Sequence, residues 1–126
     1  MFYPKDNVIY DELREVTIAA AVTKGQAVLH NDVFGFYFAA QTDITKVVAL
    51  VYRMRQVLAD KGTGTATVIN EGDRLYYVVA TGVVSPTVVG TIGTDSYFCG
   101  WAKKAAGASD TTVLMNFDGT RYDQLA

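Results

Sequence analysis

Five short segments of the chain set a glycine at or beside the start of an apolar, β-branched or aromatic run, and they follow one another in order. They read KGQAVL (24–29), FGFYFA (34–39), EGDRLYYV (71–78), TGVVS (81–85) and CGWA (99–102), the last leading into DTTVLMNFDGT (110–120). Short runs rich in Val, Phe, Tyr and Thr, bounded by turn residues, read as strands. Glycine inside such a pattern marks a turn, a bulge or a close approach of two backbones. Gly25, Gly35, Gly72, Gly82 and Gly100 therefore punctuate about eight or nine short antiparallel strands, the pattern of a small all-β barrel or sandwich.

Strand signals can be placed along most of the chain. Residues 16–22 read as a strand ending at Thr-Lys-Gly, and 26–30 and 33–41 form a hairpin around Asn31-Asp32. Residues 45–58 carry two periods at once. Val47, Leu50, Val51, Met54, Val57 and Leu58 fall at helical spacing, while β-branched content and the alternation of Tyr52 and Met54 with Arg53 and Arg55 favour a strand. Residues 61–73 begin as a small-residue loop, then 73–80 and 83–89 make a second hairpin through Thr81-Gly82. Residues 97–105 and 111–117 supply the last strands. The two hairpins share one order, charged-Gly-polar, strand, turn, strand. This reads either as a related pair on opposite sides of a barrel or as the common form of any two hairpins.

Residues 1–15 break the pattern, with six charges, several aromatics and Pro4. They read as an N-terminal arm, residues 16–120 as the β domain and 121–126 as a polar tail. Phe2, Tyr3, Val8, Ile9 and Tyr10 are costly to leave together in water. They either fold back onto their own domain or lie on a neighbour.

The chain of 126 residues is one domain, long enough for its own core. Its 11 basic and 13 acidic residues disfavour binding nucleic acid by its phosphates, although Lys46, Arg53, Arg55 and Lys61 lie close in sequence as a local basic patch. A single cysteine, Cys99, excludes an internal disulfide and reads as a small buried hydrophobe. No cationic start with an apolar stretch marks a signal peptide, and no apolar run reaches the ~18 residues of a membrane span. Synthesis in a cytoplasm, without membrane contact, is the expectation.

Motifs for covalent chemistry fail one by one. KGTGTATVINEGD lacks the lysine and the following helix of a phosphate loop. One His and one Cys leave only scattered carboxylates for a metal, and NFDGTRYD lacks the acidic spacing of a calcium loop. His30 reads as an exposed turn residue with no nucleophile beside it. No catalytic residue, cofactor or metal is expected. Trp101 and the tyrosines, Tyr76, Tyr77 and Tyr97 among them, offer an aromatic platform for sugars or single strands, but their place on strands favours core or subunit interface.

The series V-x-K-G-Q-A-V, F-G-F-Y-F-A-A-Q-T-D, E-G-D-R-L-Y-Y-V, G-V-V-S and C-G-W-A-x-x-A-x-A-x-D-T-T-V-L-M-N-F-D-G resembles the DUF2190 group of phage head proteins, which are similar to capsid cement or decoration proteins. That group's repeated Gly-Asp-strand, F-G-V-A and closing I-G-x-A segments map onto Gly25–Val28, Phe34–Ala39, Gly72–Tyr77 and Cys99–Leu114, within residues 16–120. Gln26 stands where the pattern usually has Asp, and residues 1–15 match no part of it. Some members carry a recombinase label, which the missing nucleotide loop argues against here.

The resemblance implies a small β-barrel-like virion protein on the outer surface of the capsid, made in the host cytoplasm. Its partner would be the major capsid protein, with itself as a trimer or else a dimer, and without direct contact to nucleic acid or membrane. Phe2, Tyr3, Val8, Ile9 and Tyr10 are then expected to carry lattice or neighbour contacts, and Arg53 and Arg55 polar rim contacts. The alternative expectation is a carbohydrate-binding or adhesive β-module displayed on the virion.

Overall fold

Nine strands are present in the computed structural model, which describes residues 1–5 and 10–124: β1 (Phe2–Pro4), β2 (Tyr10–Thr17), β3 (Ala27–His30), β4 (Val33–Tyr37), β5 (Val47–Asp60), β6 (Arg74–Val78), β7 (Val83–Ser85), β8 (Ser96–Ala102) and β9 (Thr112–Asp118). The only helical turn among these residues is the 3-10 turn Thr65–Thr67. The strands form one antiparallel sheet in the order β3-β4-β5-β9-β8-β6-β7, with β1 and β2 also against β5. The sheet curls into a half-barrel, and a parallel bridge from Lys61 to Val84 draws β7 back towards the end of β5. The all-β expectation holds. The β3–β4 and β6–β7 hairpins lie at opposite ends of the strand order.

The 14-residue β5 is the spine. β2 and then β1 run antiparallel along one side of it, from Thr17 opposite Val47 to Phe2 opposite Ala59. On its other side β4 takes Leu50 and Val51, and β9 takes Arg53 to Asp60. β4 and β9 meet at Gly119, whose amide donates to Tyr52 and whose carbonyl accepts from Phe34. A Cβ on Gly119 would collide with the Phe34 carbonyl, so only glycine closes this junction.

Both faces of β5 are buried, which explains its double period. Val51, Met54, Val57 and Ala59 face the main core, while Val48 and Leu50 face a second cluster with Val16, Ile18, Val22, Val33 and Tyr37. The β2 register shifts between Glu12 and Leu13, and the β9 register shifts between Met54 and Val57. Each bulge turns the strand by one residue, so inward positions fall at 51, 54 and 57 and imitate a helix.

The main core is aromatic. Phe2 is 1% exposed and its ring lies 4.9 Å from Phe117, 5.5 Å from Phe36, 5.7 Å from Tyr77 and 6.0 Å from Phe34. This corrects the arm reading. Residues 2–4 and 10–17 are strands of the sheet, and the boundary drawn at residue 15 falls inside β2. A long spine strand leaves an edge to be paired, and Phe2 gains most by burial in its own subunit.

Other boundaries move for local reasons. The strand expected at 16–22 ends at Thr17, and Ile18 and Val22 drop into the second cluster while Ala19, Ala20 and Ala21 stay exposed. Alanine is a poor strand former. β7 stops at Ser85 because Pro86 has no amide hydrogen to give. The tail is docked as far as it is described: the Tyr122 carbonyl accepts from the Phe98 amide, and the Tyr122 ring stands 5.8 Å from Tyr97.

Lys61 is not part of a surface basic patch. It is 4% exposed, and its ammonium donates to the carbonyls of Gly62 (2.8 Å), Gly107 (2.9 Å) and Asp110 (2.9 Å) and to Thr67 Oγ1 (3.2 Å). A buried charge needs such a set of acceptors. This one pins the loop after β5 to the loop before β9.

Candidate interaction face

Antiparallel partners point to the same side of a sheet, so the register sorts the outward residues of β5 and its neighbours. β9 alternates cleanly: Val113, Met115 and Phe117 are buried, while Thr112, Leu114, Asn116 and Asp118 are not. Leu58 pairs with Leu114 on one side and with Tyr3 on the other, giving an outward apolar row. Arg53 pairs with Asp118, its Nε 3.9 Å from Asp118 Oδ2. Asn116 lies opposite the Arg55-Gln56 bulge and pairs with Trp101, which in turn pairs with Arg74. One face of the sheet thus carries Tyr3, Arg53, Arg55 and Trp101 around Leu58 and Leu114.

The bulge between Met54 and Val57 opens a cleft of about 320 Å³ in this face. Trp101 and Asn116 line it on the outward side, whereas Met54 and Phe117 border it only from beneath, because their side chains are packed in the main core. Arg53, Arg55 and Asp118 complete the rim. Gly100 makes the geometry possible: β8 has its own register shift beside it, φ is +135°, and an added Cβ would run into the Asn116 carbonyl. The Trp101 indole is held edge-on by buried Phe98 at 5.1 Å and 78°, and Phe98 by Tyr76 at 5.8 Å. Asp118 Oδ1 accepts from the Thr120 amide (3.0 Å) and hydroxyl (2.6 Å), which fixes the carboxylate.

Of the residues expected to make contacts, Tyr3, Arg53 and Arg55 share this face. Tyr3 is 42% exposed and its hydroxyl donates to Asp60 Oδ2 at 3.2 Å. Burial first, and then the Asp60 carboxylate, push its phenol above the usual range. Phe2 is withdrawn from the set, because it lies in the core of its own subunit. Val8 and Ile9 lie outside the described residues, and Tyr10 is placed by its backbone register opposite Met54. The turn glycines behave as their sequence contexts ask. Gly25, Gly72 and Gly82 have positive φ at turns, and Gly35 lets β4 approach the Val51 carbonyl.

Sequence reasoning missed Asn116, Asp118 and the Leu58–Leu114 row. The alternation of residues 112–118 was the available signal, but the partner strand and its bulge were needed to use it. Cys99 is buried as expected, its thiol donating to the Leu75 carbonyl at 3.4 Å, and burial pushes that thiol far above its ordinary range. His30 is not an exposed turn residue: it pairs with Val33 as the last residue of β3 and is half-buried. Among the described residues no three His, Cys, Asp or Glu side chains gather where they would hold a metal ion. No helix there is long and apolar enough to cross a membrane. Comparison with known proteins returns nothing: no family model, no curated protein and no solved structure matches the chain.

Proposed function

We propose that the protein is a structural virion component, a cement or decoration subunit that binds the outer surface of an expanded phage head and bridges its capsomers. The observation that carries the reading is the outward face of β5, where Tyr3, Arg53, Arg55 and Trp101 surround Leu58 and Leu114. Tyr, Trp and Arg are the residues that dominate binding energy at protein interfaces. The glycine-marked strands that resemble the decoration group support it from a second direction, since Gly25, Gly35, Gly72, Gly82 and Gly100 occupy turns, a bulge or a close approach in one sheet. Such a subunit works by buried area and by several attachments at once, with no reacting group. The major capsid protein is the partner, and the subunit closes on itself as a trimer, or failing that a dimer.

The test is capsid stabilisation. Heads assembled without the protein are heated with and without added subunit, and DNA release is followed. Wild-type protein raises the release temperature, whereas Arg55→Glu and Tyr3→Ala, both on the exposed face, weaken binding about tenfold or more at ~1.4 kcal/mol per decade. Unchanged release temperature with saturating wild-type protein removes the proposal.

A further inference from the structure

We propose that the cleft between β5, β9 and β8 is a binding site for a pyranose ring, such as a terminal unit of a surface polysaccharide, with Trp101 as its stacking platform. The site shares Arg53, Arg55 and Trp101 with the face proposed for docking, so a sugar and a capsid surface compete for it, and the sugar reading stands or falls without the docking one.

A pyranose has a flat face of C–H groups and a rim of hydroxyls, each of which both donates and accepts. Its site therefore needs an aromatic surface flanked by donors and acceptors together, in fixed positions. The cleft has these parts. The Trp101 indole is partly exposed, and buried Phe98 fixes its angle. Arg53 and Arg55 bring donors, Asn116 brings a donor and an acceptor, and Asp118 brings an acceptor. Asp118 Oδ1 is taken up by Thr120, while Oδ2 lies 3.9 Å from Arg53 Nε, and a carboxylate oxygen can accept from a hydroxyl as well. All of these residues sit on strands, which hold a site more precisely than loops do.

The mixture of groups selects the ligand class. An acidic peptide would need donors only, and Asp118 would repel it. A single-stranded nucleic acid would bring phosphates to a chain whose formal charge is −2. A ring of hydroxyls uses both the guanidiniums and the carboxylate. The volume of about 320 Å³ is at the small end of ligand sites and suits one ring with its neighbours running out over the sheet.

Trp101 is the only tryptophan, so tryptophan emission, excited selectively over the eight tyrosines, reports on the cleft. The whole chain is titrated with glucose, galactose, mannose, N-acetylglucosamine and glucuronate, with mannitol and sodium acetate as controls. The expected result is a saturable change with at least one pyranose, at a midpoint of roughly millimolar, and none with either control. Asn116→Ala, at an exposed position, should raise that midpoint at least tenfold while the thermal midpoint of the variant stays at the wild-type value. Asp118→Asn should do the same for the sugar, with the thermal scan showing whether its turn survives. The proposal is overturned if no pyranose gives saturation up to about 100 mM, if acetate reproduces the change, or if Asn116→Ala binds as tightly as wild type. Head binding is measured separately, so either reading can fail alone.

Discussion

Replacing Phe2 by alanine tests whether the first residues belong to the core. The side chain is 1% exposed and lies within 6.0 Å, ring centre to ring centre, of Phe34, Phe36, Tyr77 and Phe117. Removing a buried phenylalanine costs about 3–5 kcal/mol from lost transfer energy and the cavity left behind. Aromatic pairs add about 0.5–1.5 kcal/mol each beyond area, though not additively, which favours the upper half of that range. For 126 residues, an unfolding entropy of about 2.1 cal/mol/K per residue makes each kcal/mol worth roughly 4 °C, so the midpoint should fall by about 12–20 °C. The assay is thermal unfolding by circular dichroism, with Tyr3→Ala as the neighbouring control. Tyr3 points to the other side of the strand and is 42% exposed, so its loss should cost under about 1 kcal/mol. A Phe2→Ala midpoint within about 4 °C of wild type, or equal effects at both positions, would refute the placement of β1 against β5.

Three further outcomes follow from buried groups. Lys61→Met should cost about 2–4 kcal/mol by leaving three carbonyls without their donor, with hydrogen exchange accelerated at Gly64 and Ile69, whose amides bond to Ala108 and Ala106 between the same two loops. Gly100→Ala should cost at least about 2 kcal/mol, read by urea unfolding, because φ is +135° and the Asn116 carbonyl stands in the way. Burial keeps the Cys99 thiol protonated in the native state well above its ordinary range. The unfolded chain loses that proton above about pH 8.5, so this contribution is complete below that pH and is lost as pH rises. Tyr77 and Tyr37, also raised by burial, extend the loss above about pH 10. Urea midpoints should therefore decline from pH 8 to 10, less steeply in Cys99→Ala, and native protein should react with thiol reagents only as fast as it unfolds.

Much of the sheet was legible because its strands are short and bounded by turn chemistry. The Asn31-Asp32 and Thr81-Gly82 hairpins close over a few residues, and the last two strands pair across the turn that directly joins them. What failed to show was whatever depends on distant partners. For Phe2 the sequence left two fates open, its own domain or a neighbour, because nothing nearby in sequence buries it; its neighbours come from β4, β6 and β9. Lys61 looked like surface charge because its acceptors include Gly107 and Asp110, far along the chain. β5 looked half helical because two bulges, visible only in its pairing with β2 and β9, move its inward positions. The interaction face was half legible. Arg53 and Arg55 stood out by alternation, whereas the cleft beside them is a product of the Met54–Val57 bulge and the curve imposed at Gly100.

The most direct measurement of the proposed role is co-sedimentation of the purified protein with expanded heads of its parent phage, with unexpanded procapsids as the control. A cement subunit binds expanded heads alone, saturably, and loses that binding in the double variant Arg53→Glu/Arg55→Glu at unchanged fold by circular dichroism. No binding to either particle, or equal binding by the double variant, would contradict that role.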